Sequence, residues 1–316
     1  MQVTVPYRTL QSRGFGPGLI CRLAKPVLVV PMVLQWLCLA MRYRSLSLSS
    51  VADPSIPFGG LAGESKMIYF SQVAPESRRF LADTAAIVAD GDAPANAREA
   101  IGRHGLAFPM IAKPDIGWCG FGVWRLDTLA DLDAYIAAYP VGETFLLQEY
   151  FADGGEAGLF YVRWPKEQRG RLLSLTTRQP SPSGSVVWSH RMGGVYRDLS
   201  AAITPALTGR IDAIARDMPD LHVARFDVRF ASMAGLASGE GFRIIEINGA
   251  GSEAIDCFDP DVPFFAAYAG ILRKQAMVFA IAAENRARGI KPCGSRALLA
   301  AFRRQARLIE SYPASN

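Results

Sequence analysis

The stretch VARFDVRF, 223–230, alternates charged and apolar side chains. In an extended strand, residues two apart share a face. Arg225, Asp227 and Arg229 are therefore expected on one side, and Phe226, Val228 and Phe230 on the other. The aromatic side can be buried, whereas lone charges on the opposite side are costly to desolvate. A bound polyanion with metal ions removes that cost. The stretch FRIIEINGAGSEA, 242–254, supplies the companion: Ile245 and Ile247 are expected on one face, Glu246 and Asn248 on the other. Asp227, Glu246 and Asn248 carry hard oxygen donors of the kind that hold Mg2+ between protein and phosphate. Gly249 and Gly251 follow, and Ser252 offers a hydroxyl and a backbone amide near a transferred phosphate. Taken singly, either stretch is also compatible with an ordinary half-exposed antiparallel strand.

Two further stretches extend the chemistry. FPMIAKPDIGWCGFGVWR, 108–125, reads as a buried strand through Phe108, Met110, Ile111 and Ala112, with Lys113 at its end. Gly117, Gly120 and Gly122 then let backbone N–H groups approach an anion without interference from a Cβ, so the loop suits a phosphate clamp. Trp118 and Phe121 at its tip suit an apolar lid, or packing against the lobe that carries them. LLQEYFADGGEAGLFYV, 146–162, ends a strand at Glu149, where Tyr150 and Phe151 can offer backbone groups and apolar contact to a flat ring. Glu156, past a glycine turn, can accept bonds from sugar hydroxyls.

These residues need elements to position them. Helices are expected over 65–72, 93–104 (stopped by Gly105), 126–139, 203–218, 264–288 and 295–311. Strands are expected over 84–88, 144–151, 159–163, 172–177, 223–230 and 242–247. Residues 45–63, rich in Ser, Pro and Gly, read as a linker before a globular body starting near Gly63. The last helix is basic and amphipathic, compatible with a core-packed surface helix or with a membrane-surface contact.

The first stretch differs. LICRLAKPVLVVPMVLQWLCLAM, 19–41, is followed by RYR. Its uninterrupted apolar part, 26–41, is shorter than the ~20 residues a bilayer span needs, and Pro31 would kink it. An interfacial or re-entrant anchor, a buried core helix and a true span all stay open. Lys plus Arg number 34 against 29 Asp plus Glu, a formal charge of +5 that favours anionic partners. No helix-turn-helix, zinc-finger or RNA-stacking signature accompanies that charge, so nucleic acid is not expected. The five cysteines are scattered without a C-x-x-C pair, and the three histidines lack metal spacing, which excludes a zinc site. Reduced thiols in a cytosolic compartment are expected. Cys119 has no evident His or Asn partner and is not expected to be a nucleophile.

The order ESK, IAKPDIGWCGFGV, LLQEYF…GGE, LTTRQ, ARFDVRF and IIEINGAGSE resembles the ATP-grasp enzymes, in particular the D-alanine–D-alanine ligase-like C-terminal fold. The similarity covers roughly residues 60–285. It implies an α+β fold of two lobes whose antiparallel sheets clamp ATP, here preceded by a short hydrophobic N-terminal segment. The implied division is an anchor-like segment and linker (1–62), a catalytic domain (63–290) and a basic C-terminal helix (291–316). The resemblance implies that Lys66 and Lys113 bind phosphates under the closing loop with Gly117, Gly120 and Gly122. Glu149 and Tyr150 would lie at the adenine hinge, Glu156 at the ribose and Arg178 on the distal phosphates. Arg225 would contact the transferring phosphoryl group, with Ser252 nearby. Asp227, Glu246 and Asn248 would hold Mg2+.

The implied reaction is ATP-dependent carboxylate–amine ligation through an acyl phosphate, on small-molecule substrates. A phosphotransferase, or a catalytically silent nucleotide-binding scaffold, are the alternatives. A cytoplasmic protein is implied, with residues 19–44 offering a peripheral or monotopic hold on the membrane face. The oligomeric state is left open. Only about 60 residues stand where the family usually has a Rossmann-like domain, and loop 180–198 lacks a dipeptide-ligase pattern, so D-alanine–D-alanine synthesis is not expected.

Overall fold

A computed structural model of the chain describes residues 25–179 and 194–316. Cys21, the start of the apolar run (19–24), and His190 and Arg191 in the loop noted above lie outside the described residues. The helices are α1 (Lys25–Arg42), α2 (Lys66–Gln72), α3 (Ala93–His104), α4 (Leu129–Ala138), α5 (Pro205–Asp217), α6 (Met233–Ala237), α7 (Phe264–Ala287) and α8 (Ser295–Ser311). The strands are β1 (Thr84–Val88), β2 (Met110–Pro114), β3 (Trp124–Leu126), β4 (Thr144–Glu149), β5 (Gly155–Val162), β6 (Arg171–Gln179), β7 (Val195–Asp198), β8 (Val223–Phe230) and β9 (Phe242–Asn248).

They form two antiparallel sheets, ordered β1-β4-β2-β3 and β7-β6-β5-β8-β9. The first sheet packs on α3 and α4 through Ala97, Leu132, Tyr135 and Phe145. Local signals set the ends of these helices. Gly105 at φ 64° caps α3 in the left-handed region that glycine tolerates. Thr128 and Asp131 form a capping box that starts α4 at Leu129. Leu126 is thereby left to β3 and not, as expected, to the helix. β2 starts at Met110 and not at Phe108, because Pro109 has no N–H to give a ladder.

The second sheet alternates as its sequence dictates. Phe226, Val228 and Phe230 pack with Leu207, Ile211 and Ile214 of α5. On the opposite face, Phe160, Val162 and Val223 pack against Val278, Phe279 and Ile281 of α7, together with Leu48, Val51 and Ala52. That last contact corrects the linker expected over 45–63. Leu48, Ser49, Ala52 and Asp53 are fully buried. Asn285 of α7 donates to the carbonyls of Val51 (2.8 Å) and Ala52 (3.2 Å). Ser, Pro and Gly here build tight turns inside the body of the protein.

Helix α1 is half docked. Trp36 meets Phe279 of α7 edge-on at 4.9 Å, and Gln35 donates to the Leu272 carbonyl at 3.0 Å. Its other side leaves Val30, Val33, Leu34, Leu37 and Met41 exposed. Among the described residues, α7 is long and apolar enough to cross a membrane by length and composition. Its Phe279, Ile281 and Ala282 are core residues of the second sheet's outer layer. Helix α8 buries Leu298 and Leu308 and lays another side along the cleft between the sheets.

Candidate active site

A cleft of about 540 Å³ separates the two sheets, a size suited to a small-molecule ligand. Residues 150–154, which join β4 to β5, form its hinge end. The structure brings to this cleft Lys66, Lys113, Gly117 and Gly120, together with Glu149, Tyr150 and Glu156. Arg178, Arg225, Asp227, Glu246, Asn248 and Ser252 line it as well. Gly122 does not line it. It sits behind the loop at φ 70°, where a Cβ would come within 2.9 Å of Pro114 Cγ.

One place where the two lobes meet is an irregularity of the second sheet. The β8–β9 register pairs Asp227 with Glu246 and Val228 with Ile244, so Ile245 is an extra residue in a β-bulge. A bulge shifts the alternation of its strand. Ile244, and not Ile245, therefore shares the core with Ile247, while Ile245 faces the cleft beside Glu246. This corrects the expected pairing of Ile245 with Ile247. Across the cleft, the Ile245 carbonyl accepts from Lys113 Nζ at 2.8 Å and from Gln148 Nε2 at 3.2 Å. Gln148 Oε1 takes a second bond from Lys113 at 2.8 Å. Burial pulls the Lys113 ammonium down to about 8, against the attraction of Glu246.

Lys66 is the first residue of α2, whose N-cap is Ser65. Its Nζ lies 3.4 Å from Glu246 Oε1 and donates to the Asp115 carbonyl at 3.2 Å. Asp115 Oδ1 also accepts from Met67 N at 3.1 Å. The first sheet's loop thus fixes the start of the helix that carries Lys66. A Cβ on Gly117 would stand 3.1 Å from Lys66 Nζ, so the glycine loop runs close over this lysine.

Asp227 is the electrostatic centre. Its side chain accepts from Arg225 (2.7 and 3.0 Å), from Arg178 (2.9 Å) and from Asn248 Nδ2 (3.4 Å). Burial alone would raise this carboxyl, but Arg178 and Arg225 hold it below the usual carboxylate range. Arg225 also reaches the Glu253 carbonyl at 3.1 Å. Glu156 is bonded by Arg178 and lies 3.4 Å from Arg229, so guanidinium groups occupy both of its oxygens. Tyr150, at the hinge, lies under the Arg125 guanidinium at 5.0 Å. Glu149 Oε2 accepts from Asp83 N at 3.4 Å.

Three supporting residues escaped the sequence reading. Asp53, wholly buried, accepts from His222 N (2.7 Å), Val223 N (2.9 Å) and Ala250 N (3.0 Å). Burial pushes its carboxyl up to about 7, against those three N–H groups. Glu64 accepts from the Tyr69 hydroxyl and from Gly249 N at 3.3 Å. Lys274, on α7, donates to the carbonyls of Ala250 (2.9 Å) and Ser252, and burial lowers its ammonium to about 8. Gly251 N bonds Gly60 O at 3.0 Å, and a Cβ on Gly60 would meet Gly249 Cα at 2.7 Å. The loop 249–252 is thus held from behind by segments distant in sequence. A Ser-rich stretch and an apolar helix carry no local mark of that role.

Among the described residues, no group of three His, Cys, Asp or Glu stands ready to hold an ion. Asp227 and Glu246 face each other across one strand pair, with Asn248 beside them. Asp227 is held by Arg225 and Arg178, and Asn248 turns its Nδ2 toward it, so the set would take a hard dication only once those guanidinium groups turn to phosphate and the amide presents its oxygen.

No family model matches the chain, and no curated protein matches it. Solved structures do. The chain is similar to the VanG D-Ala:D-Ser ligase from Enterococcus faecalis, with 15% identity, a TM-score of 0.47, and 71% of this chain and 64% of that one covered. It is similar to the D-cycloserine synthetase DcsG, with 16% identity, a TM-score of 0.46, and 69% and 70% covered. A third is carboxyaminoimidazole ribonucleotide synthase from Aspergillus clavatus complexed with ATP, with 10% identity, a TM-score of 0.45, and 67% and 50% covered. The chain therefore spans less than two thirds of the first of these proteins. In the protein itself, two antiparallel sheets are joined by a hinge, and Lys113 of the first reaches across the cleft to the strand of the second that carries Glu246.

Proposed function

We propose that the protein is an ATP- and Mg2+-dependent ligase that joins a carboxylate to an amine through an acyl phosphate. The observation that carries this reading is the bond from Lys113 Nζ across the cleft to Ile245 O, next to Glu246. It brings Lys113 of the first sheet up to the Glu246 strand of the second, with Lys66 beside Glu246 at 3.4 Å, around a single space. A triphosphate would take Lys66, Lys113 and Arg178 as counter-charges, with the glycine loop over it. The adenine would lie at Glu149 and Tyr150. Glu156 would reach the ribose once Arg178 and Arg229 turn towards phosphates. Asp227, Glu246 and Asn248 would hold Mg2+, which would supply positive charge against the phosphates.

The carboxylate substrate attacks the γ-phosphorus, and ADP leaves. Arg225 stabilises the transferring phosphoryl group. The amine then attacks the acyl carbon and phosphate departs. The Ser252 hydroxyl, which donates to the Gly249 carbonyl at 2.7 Å, would reach the oxyanion formed in that step once it releases that carbonyl. Closure of the glycine loop excludes water and protects the acyl phosphate from hydrolysis. The test is incubation with Mg-ATP, mixed carboxylates and mixed amines, following ADP release and new amides by mass spectrometry. Amide formation that depends on ATP and is lost in Glu246→Gln supports the reading. Phosphorylated product with no amine requirement replaces it with a phosphotransferase.

The exposed side of α1 supports a second element of this reading. Val30, Val33, Leu34, Leu37 and Met41 form an apolar surface beside Arg42 and Arg44. Such a face suits the surface of an anionic bilayer. Cosedimentation with phosphatidylglycerol vesicles that is unchanged in Val33→Glu/Leu37→Glu would remove this element.

A further inference from the structure

The cleft is closed at its two ends by different elements. The hinge, 150–154, closes one. Helix α8 crosses the other, linking the two sides of the molecule. Gly63 N donates to Gln305 Oε1 at 3.0 Å, and Arg304 is paired with Glu143 at 2.9 Å. Glu143 precedes β4, at the end of that strand away from the hinge residue Glu149. Beyond α8, Tyr312 donates to the Ile116 carbonyl at 2.6 Å, and Ser315 to the Gly120 carbonyl at 2.7 Å. The C-terminal segment is therefore tied to both the 60–64 turn and the glycine loop.

This placement gives α8 a face in the cleft. Phe302, Ala306 and Ile309 line it at helical spacing, with Gln305 between them. Trp118 and Phe121 of the glycine loop line the same space. Phe302 is 45% and Trp118 63% exposed, so two large apolar side chains face the solvent that fills the cleft. The turn that α8 docks on, 60–63, is the one that grips Gly251 and adjoins Ser252. The apolar stripe thus lies at the Ser252 end of the cleft, away from the hinge. An apolar wall with a few converging polar groups is how small-molecule sites set orientation and selectivity.

Resting on the ligase reading above, we propose that α8 is the specificity wall and that the carboxylate substrate carries a bulky apolar chain. That chain lies along Phe302, Ala306 and Ile309 with Trp118 over it. Its carboxylate then points to Arg225, at the Ser252 end of the cleft.

The test uses the full chain with Mg-ATP and hydroxylamine, which traps an acyl phosphate as a hydroxamate: the nitrogen bonds the acyl carbon and phosphate leaves. Acetate, hexanoate and 3-phenylpropanoate are compared as substrates. Binding of the same acids is measured by calorimetry with a non-hydrolysable ATP analogue present. The expected result is a kcat/KM, and an affinity, at least about tenfold higher for 3-phenylpropanoate than for acetate, the discrimination an apolar pocket can supply. Phe302→Ala should raise KM for 3-phenylpropanoate about tenfold with kcat little changed, and should leave acetate and nucleotide binding alone. Ala306→Trp, which fills the groove, should exclude the aromatic acid and spare acetate. Phe302 and Ala306 are both exposed, so both variants should fold, which melting checks. Equal use or equal binding of all three acids, or indifference to both substitutions, overturns the α8 assignment. If no hydroxamate forms from any acid while the nucleotide binds, the ligase reading fails, and the calorimetry still decides whether the wall selects apolar acids.

Discussion

Replacing Asp227 by Asn removes one charge and almost no volume. In the native protein this carboxylate neutralises Arg225 and Arg178 at 2.7–3.0 Å, with its side chain 1% exposed. Removing one partner of a buried ion pair costs ~3–5 kcal/mol, because the remaining charge stays buried without compensation. Arg178 keeps Glu156, and Arg225 keeps the Glu253 carbonyl, which places the expected loss near the lower end, ~3 kcal/mol. At ~1.5 °C per kcal/mol for a chain of 316 residues, the melting temperature should fall by ~5 °C. The functional effect has a different signature. Both guanidinium groups become available to phosphate, so nucleotide affinity measured in EDTA should hold or rise. Affinity in Mg2+ should lose its metal dependence, since a carboxylate ligand is gone. Melting scans and calorimetry with and without Mg2+ measure both effects. A folded Asp227→Asn protein that binds ATP with the native Mg2+ dependence would falsify the assignment of Asp227 to the metal.

Three other substitutions probe different parts of the site. Lys113→Met removes a charge-assisted donor worth ~1.5–3 kcal/mol, so Mg-ATP binding should weaken by about 10- to 150-fold. Its fold should persist, because Gln148 still satisfies Ile245 O; unchanged affinity would remove Lys113 from the phosphate site. Lys274→Met strips the ammonium from the Ala250 and Ser252 carbonyls. Faster hydrogen exchange over 249–252 and a lower kcat are expected, with nucleotide affinity nearly constant; native exchange there refutes the supporting role. Asp53 has its carboxyl raised from 3.8 to about 7, so its contribution to stability is full below pH 3.8 and is lost as pH rises through 7. Asp53→Asn loses the acceptor for Ala250 N and should be less stable, but it carries no such loss with pH. The stability gap between wild type and variant should therefore shrink by about 1 kcal/mol from pH 6 to pH 8, as read from urea melts; a constant gap refutes the raised carboxyl.

The parts of the site legible in the sequence are those written in local pattern. The charge–aromatic alternation of 223–230 predicts β8 and its cleft face, because a period of two needs no knowledge of the partner strand. Lys113 with its glycines, and Gly105 as a helix stop, are equally local. The missed parts depend on pairing across the chain. The bulge at Ile245 arises from the match between β8 and β9, and nothing within 242–248 announces it. The stretch 45–63 has the composition of a tether, yet Asn285 and Ala250, more than 190 residues away, hold it in the interior. Helix α8 is basic and amphipathic as read, but its spacing does not say that Phe302 and Ile309 face a cleft.

The two sides of the cleft are therefore held by different physics. Lys113 is placed by a regular sheet, whose ladder bonds and core leave little freedom. Ser252 sits in a loop with no ladder of its own, and its position depends on Asp53, Glu64 and Lys274 behind it. Burial has shifted Asp53 and Lys274 towards their neutral forms, which shows that the interior opposes their charges. An apolar packing of equal volume would avoid that opposition. What the charged groups provide is direction: Asp53 accepts from three backbone N–H groups, and Lys274 donates to two carbonyls, none of which a methyl could orient. Asp53 is bonded both to the start of β8 and to Ala250, so a single carboxylate sets the distance between the strand that carries Asp227 and the loop that carries Ser252. The proposed ligation, whose phosphoryl and acyl steps would occur at neighbouring atoms, would require that distance to be fixed, and it is fixed from outside the cleft.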